Sequence, residues 1–461
     1  MFQPKTIIEP FRVKVIEPLP LNTREVRAVA LKKADFNLFR LSASDVIIDL
    51  LTDSGTSAMS AEQWAQVMRG DESYAGSLSF EDFEKTFKEV MGYDFILPTH
   101  QGRASERILF SVVAAQRGLK RGYVLNNAHF DTTRANAEAL GFEALDFPCE
   151  EFSNRDSDFP WKGNMNLEKL ERFLTSTPSD QVAMGMMTLT NNSCGGQPAS
   201  LENIRAVSQL YKKFNVPFYL DACRFAENVA FIRKNECLDR TPLSLAQEIF
   251  SLADGCTFSA KKDALVNIGG VLATRHSEIV EDMKALLILT EGFPTYGGLA
   301  GRDLGAMAQG LKEVLDPHYL DYRLAITRYM SAFLSQKGIP HLKPAGGHAL
   351  YLDAQSLASH LKWSDYPGQS LALALYLEGG IRSCEIGSVM FGRQADGTEK
   401  QAKAELVRLA IPRRVYTQSH MDYVLEVIEY VASQRTELKP VRISHEPKRL
   451  RHFSAEFTWG A

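Results

Sequence analysis

The apolar run Val216-Pro217-Phe218-Tyr219-Leu220 ends in Asp221-Ala222-Cys223-Arg224, and about forty residues later Gly255-Cys256-Thr257-Phe258 ends in Ser259-Ala260-Lys261-Lys262-Asp263. Both runs are short, apolar and closed by polar residues, so each reads as a strand. Leu243–Ser251, between them, has the spacing of a helix. Parallel strands need a crossover of this kind. Ligands of parallel sheets gather beyond the carboxyl ends of the strands. Asp221 and Lys262 stand at two such ends.

The same alternation extends on either side. Val46–Leu51, Phe95–Leu97, Tyr123–Leu125, Val182–Met187 and Gly270–Ala273 read as strands, and Phe80–Met91, Arg103–Gln116 and Leu201–Lys213 as helices, which predicts an α/β architecture with parallel strands. After about Gly301 the texture changes. A long amphipathic stretch, Asp303 to Lys337, precedes the short strand candidates Gly346–Leu352 and Leu406–Ile411, as in a smaller α+β domain. Pro4, Pro10, Pro18 and Pro20 mark an extended arm. The expected division is an arm at 1–20, a small domain from 21–56 plus 311–461, and a large domain at 57–310.

With 461 residues, two or three packed domains are the expectation. Hydrophobic residues make up 45% and charged residues 23%, as in a soluble globular protein. A net charge of -4 gives no basic stripe for nucleic acid. The six cysteines are scattered, without metal-ligand spacing, and read as reduced thiols of a cytoplasmic protein. Met1 to Arg12 lacks the apolar core of a signal peptide, and runs such as Ala285–Leu289 are too short for a membrane span.

A lysine that condenses with an aldehyde and an aspartate that keeps a pyridine nitrogen protonated are the two groups pyridoxal phosphate requires. Asp221 and Lys262 supply that pair in order, although a helix cap and a solvated lysine face are the plainer readings of each alone. In Pro98-Thr99-His100-Gln101-Gly102-Arg103 a glycine sits at a strand-to-helix turn, where backbone N–H groups can meet a phosphate. An ordinary loop is the other reading. Asn192-Ser193-Cys194-Gly195-Gly196-Gln197-Pro198 is either a plain turn or a source of an asparagine for the ring hydroxyl. Arg408 suits a bidentate grip on a carboxylate, or a surface ion pair.

Further stretches belong with these: Leu50-Leu51-Thr52-Asp53-Ser54-Gly55-Thr56, Gly70-Asp71-Glu72-Ser73-Tyr74-Ala75-Gly76-Ser77, Tyr296-Gly297-Gly298-Leu299 and Ile411-Pro412-Arg413. In this order, from about Glu9 to Phe457, the chain resembles the β-eliminating lyase family, whose members release indole from tryptophan or phenol from tyrosine. The resemblance implies a large domain of aspartate-aminotransferase type (fold type I) with a smaller α+β domain, a homotetramer, pyridoxal phosphate, and a monovalent cation, usually potassium. It implies that Lys262 holds the cofactor and removes the substrate's α proton, with Lys261 ordering water beside it. Asp221 would pair with the ring nitrogen, Arg224 and Asn192 would lie by the ring hydroxyl, and Phe130 would stack on the ring. Gln101, Gly102, Arg103 and Ser259 would take the phosphate, and Thr52, Asn192 and Arg408 the substrate carboxylate. Gly55, Glu72 and Asn267 would form the cation site.

Tyrosine-cleaving members carry an arginine at the position of Ile386, which polarises the phenol hydroxyl. An isoleucine cannot do so. Asp131 and His452 likewise follow the tryptophan-cleaving pattern. Indole leaves after protonation at C3, so an acid is needed near the ring; Tyr74 and Asp131 are assigned to it, with His452 orienting them. Three positions depart from that pattern: His129 stands where an aromatic is usual, Arg134, as in the tyrosine-cleaving members, where glutamine is usual, and Cys384 where an aliphatic or methionine is usual. The expectation is therefore cleavage of L-tryptophan to indole, pyruvate and ammonia. Tyrosine or an S-substituted cysteine is the alternative substrate, and an aminotransferase or an inactive binding homologue the alternative class. The expected partners are the amino-acid substrate and other copies of the chain, with no nucleic acid and no membrane.

Overall fold

A computed structural model describes residues 8–155, 157–394, 397–447 and 450–460; the first seven residues of the expected arm lie outside them. The chain forms two units. One comprises Met1–Asp53, Arg155–Asp158 and Ala325–Ala461, the other Ser54–Asn154 and Phe159–Leu324.

The second unit is built on seven strands: β1 (Phe95–Thr99), β2 (Gly122–Asn126), β3 (Phe142–Asp146), β4 (Val182–Thr188), β5 (Phe218–Asp221), β6 (Gly255–Phe258) and β7 (Gly270–Thr274). Their order across the sheet is β1-β7-β6-β5-β4-β2-β3. Consecutive residues alternate between two apolar clusters. Leu125, Met187, Leu220, Cys256 and Ala273 join one, while Val124, Met186, Tyr219 and Leu272 join the other. Side chains of a strand point to opposite faces in turn, so a sheet covered on both faces needs unbroken apolar runs. β4 is buried along all of Val182–Thr188 for this reason.

The covering helices carry their own signals. In Leu201–Lys213 the Ser200 side chain accepts from Asn203 N, lysines fill the last turn, and Ile204, Val207, Ser208 and Tyr211 share the buried face. One expectation needs correction. β7 is antiparallel to both β1 and β6. The segment between β6 and β7 holds only the four-residue helix Ala260–Asp263, too little for the crossover a parallel return requires. β1 therefore runs in the same direction as β6.

In the first unit, β8 (Ala349–Asp353), β9 (Cys384–Ile386) and β10 (Leu406–Ala410) form an antiparallel sheet in the order β9-β10-β8. Helix Pro367–Gly379 is closed by Gly380 in the left-handed region. The stretch Asp303 to Lys337 is two helices, Gly301–Val314 and Pro317–Gln336, parted where Pro317 takes the starting position that a proline tolerates. Among the described residues no helix is long and apolar enough to cross a membrane, and no group of three or more His, Cys, Asp or Glu could hold a metal ion.

Candidate functional site

Because β1, β5 and β6 run the same way, the residues following them meet at one edge of the sheet. β5 delivers Asp221, buried, with Oδ1 accepting from Cys223 N at 3.3 Å. β6 delivers Ser259 and the short helix Ala260–Asp263 that carries Lys261 and Lys262. The Asp263 carboxylate accepts from Ala226 N at 2.7 Å. That bond fastens the lysine helix to the start of helix Phe225–Asn235, which follows directly after Asp221 and Arg224. Asp263 ends the lysine motif, and its tie across the two strand ends comes from tertiary packing that no local pattern records.

β1 delivers Gln101, Gly102 and Arg103, with Gly102 and Arg103 opening helix Gly102–Gln116. A Cβ on Gly102 would stand 2.8 Å from Ser259 Cβ and 3.1 Å from Ser259 Cα, so only glycine lets the two loops approach. The Ser259 hydroxyl is buried, 3% exposed for the residue, and has no hydrogen-bond partner among the described residues. Lys261 Nζ lies 3.4 Å from Gln101 Oε1, and its pKa falls to about 8 through burial and the nearby charges of Lys262 and Arg103. A buried unpaired hydroxyl, a helix N-terminus and three gathered cations suit a phosphate dianion. The residues fit the phosphate and aldehyde ends of pyridoxal phosphate.

Phe130 precedes helix Asp131–Ala139 and Asp131 opens it, after β2. Asp131 Oδ1 accepts from Thr132 N at 2.6 Å. The next turn is held by Glu106 of helix Gly102–Gln116, which accepts from Thr133 Oγ1 at 2.6 Å and Asn136 Nδ2 at 3.2 Å. Glu106 was not singled out from the sequence, where a mid-helix glutamate reads as solvated. Burial, then the charge of Asp221, push its pKa up to about 7. Asn192 is buried after β4, and Arg224 is buried with its carbonyl accepting from Thr190 Oγ1 at 2.9 Å.

Of the three expected cation-site residues, two come together. Gly55, at φ 75°, donates from N to Lys261 O at 2.8 Å, and Asn267 Nδ2 donates to Gly55 O at 3.0 Å. Glu72 instead accepts from Gly301 N at 3.0 Å and Arg302 N at 3.3 Å. Tyr74 is 68% exposed and packs on Phe293 and Tyr296 at ring distances of 5.6 and 5.2 Å.

The remaining candidates belong to the first unit. Arg408, on β10, is buried and donates from Nη2 to Leu51 O at 2.9 Å, beside Thr52. Ile386 ends β9 within an apolar cluster containing Tyr351, Cys384 and Leu406. His452 is buried and meets Phe39 edge-on at 5.9 Å.

The sequence model of the family described as beta-eliminating lyase matches residues 49–426. Tryptophanase of Hyphomonas neptunium is 55% identical over 455 residues, covering 98% of this chain and 99% of its own length. Tyrosine phenol-lyase of Pasteurella multocida is 43% identical over 453 residues, covering 97% of this chain and 98% of its own. Among solved structures, serine palmitoyltransferase of Sphingomonas wittichii superposes with a TM-score of 0.59 at 12% identity, covering 85% of this chain and 88% of that one. That likeness concerns the fold alone, which is fold type I, as expected. With most of the chain matched, and more than half of its positions shared with a relative of nearly equal extent, this chain belongs to the β-eliminating lyase family.

Proposed function

We propose that the chain is a pyridoxal-phosphate-dependent lyase that cleaves L-tryptophan to indole, pyruvate and ammonia. The observation that carries the cofactor reading is the meeting of Asp221, Lys262 and the unpaired Ser259 hydroxyl at one sheet edge. The choice of tryptophan is supported by higher identity to tryptophanase than to tyrosine phenol-lyase, and by Ile386, which offers a phenol hydroxyl no donor. The bound cofactor would supply an electron sink for the substrate's α carbon.

In this reading Gln101, Gly102, Arg103 and Ser259 hold the phosphate. Asp221 keeps the ring nitrogen protonated, Phe130 stacks on the ring, and Asn192 and Arg224 flank its hydroxyl. Lys262 attaches the cofactor and takes the α proton, while Lys261 orders water nearby. Thr52, Asn192 and Arg408 grip the substrate carboxylate. Tyr74 and Asp131 give a proton to indole C3, and His452 orients them. Gly55 and Asn267 bind potassium, and Glu72, whose carboxylate rests on Gly301 N and Arg302 N, is assigned to the same ion. Val15, Ile16, Leu21 and Met68 are each more than four-fifths exposed, which supports burial between copies in a cytoplasmic homotetramer.

The test incubates purified protein, pyridoxal phosphate and potassium with tryptophan, tyrosine and S-ethyl-L-cysteine, and measures pyruvate. Tryptophan should yield pyruvate and indole in equal amounts without any keto acid added, and Lys262→Ala should abolish both. Pyruvate from tyrosine but not tryptophan would overturn the substrate.

A further inference from the structure

Two of the residues that depart from the tryptophan-cleaving pattern, His129 and Arg134, bind the same carboxylate. Asp146 ends β3. Its Oδ1 accepts from His129 N at 2.9 Å and from His129 Nδ1 at 2.7 Å. Its Oδ2 accepts from Arg134 Nη2 at 2.6 Å, while Arg134 Nη1 donates to Ala144 O at 2.8 Å. His129 directly precedes Phe130, and Arg134 stands one turn into helix Asp131–Ala139, its N donating to Phe130 O at 2.9 Å. One side chain thus grips both ends of the turn that carries Phe130 and Asp131.

The electrostatics agree with an ionised Asp146 and a neutral His129. Burial alone would raise the Asp146 pKa, but the hydrogen bonds donated by His129 and the charge of Arg134 outweigh it and hold the carboxyl below its usual range. Burial outweighs Asp146 at His129 and keeps the imidazole pKa low. Among the described residues His129 Nε2 is buried without a partner, and Asp146 is the polar tether of that ring. The His129 carbonyl in turn accepts from Ser193 Oγ at 2.9 Å, which carries the restraint to the loop of Asn192.

We propose that Asp146 is a positioning residue, clamping His129 and Arg134 so that Asp131 is held in register for proton delivery to the leaving group. The inference rests on the functional reading above. Charge-assisted bonds of this length are the strong ones, and one carboxylate that fixes two anchors restrains the residues between them more than two separate bonds would. Misplacement of a donor by about 1 Å can cost on the order of a hundredfold in rate.

The test compares the holoenzyme with Asp146→Asn and with Arg134→Gln, which removes one limb from a half-buried surface residue and survives should Asp146→Asn not fold. In Asp146→Asn, kcat for tryptophan should fall at least twentyfold with KM within threefold. Turnover of S-ethyl-L-cysteine, whose thiolate leaves without a ring proton, should stay within threefold. Arg134→Gln should lie between. Equal losses on both substrates, or no loss on either, would overturn the clamp. A second readout needs no turnover: amide hydrogen exchange over residues 129–136 should quicken at least tenfold in either variant, with Leu201–Lys213 unchanged. Should the wild type fail on tryptophan, the substrate reading falls, while unchanged exchange over 129–136 would still sink the clamp by itself.

Discussion

Glu106 shows how much one buried carboxyl can set. It is 6% exposed, it joins the phosphate-side helix to the helix of Asp131, and burial and Asp221 lift its pKa from 4.5 to about 7. Between those two values the folded chain holds a proton that the unfolded chain has lost. Stability that this proton supplies is therefore full at low pH and declines as pH rises through 7. A shift of this size corresponds to roughly 3 kcal/mol over the window. In urea unfolding of the cofactor-free protein, stability should fall between pH 5 and 8, and Glu106→Gln should flatten that fall; an unaltered slope would remove Glu106 as its cause. Asp131 admits a different test. Asp131→Ala should lower tryptophan turnover about a hundredfold, the usual worth of a general acid, and S-ethyl-L-cysteine turnover far less. Equal losses would take Asp131 out of the protonation step. The sequence presented Asp221, Lys262 and Asp131 because each stands at an element boundary, where local pattern is informative. Glu106 stands mid-helix, and its burial comes from packing against residues 133–136, which no local pattern records.

Elements were legible where their apolar runs were continuous. β5, β6 and helix Leu201–Lys213 match the expected segments to within two residues, since burial on both faces or on one helical stripe leaves a plain pattern. β3 escaped: it is the edge strand, its Glu143 is exposed, and Phe142-Glu-Ala-Leu-Asp146 alternates weakly. Had β3 been seen, the strand-end rule that marked Asp221 would have marked Asp146 as well. The direction of β7 was equally hidden, because a short link has to be recognised as too short for a crossover. At this scale Gly102 carries a prediction. Alanine is the better helix former at a first-turn position, so Gly102→Ala would stabilise an isolated helix by up to about 1 kcal/mol. Here its methyl meets Ser259, and the two loops must part. Retention of pyridoxal phosphate, followed by fluorescence during dilution, should weaken at least tenfold with the fold intact by circular dichroism. Undiminished retention would show that the Gly102–Ser259 approach is not what holds the phosphate.

At the scale of the molecule, the candidates divide unevenly between the two units. All those assigned to the phosphate, the ring and the attaching lysine lie in Ser54–Asn154 and Phe159–Leu324, whereas Thr52, Ile386, Arg408 and His452 lie in the other unit. The sequence suggested two domains from a change of texture near Gly301, but helix Pro317–Gln336 continues past the point where the units change, at Leu324, and no composition shift marks it. The uneven division has a thermodynamic consequence. A ligand stabilises the parts of the native chain it contacts, by about 2.7 kcal/mol when present at a hundred times its dissociation constant. Pyridoxal phosphate alone should therefore raise hydrogen-exchange protection in the second unit, most in β5, β6, Gly102–Gln116 and Ala260–Asp263. In the first unit β8, β9 and β10 should change little until a substrate analogue with a free carboxylate is added. Because Arg408 is assigned to the substrate and to no atom of the cofactor, protection of β10 by the cofactor alone, to the same degree as β6, would contradict that assignment. Protection of β10 that appears only with the carboxylate would support it, and Arg408→Met should then remove the second increment while leaving the first.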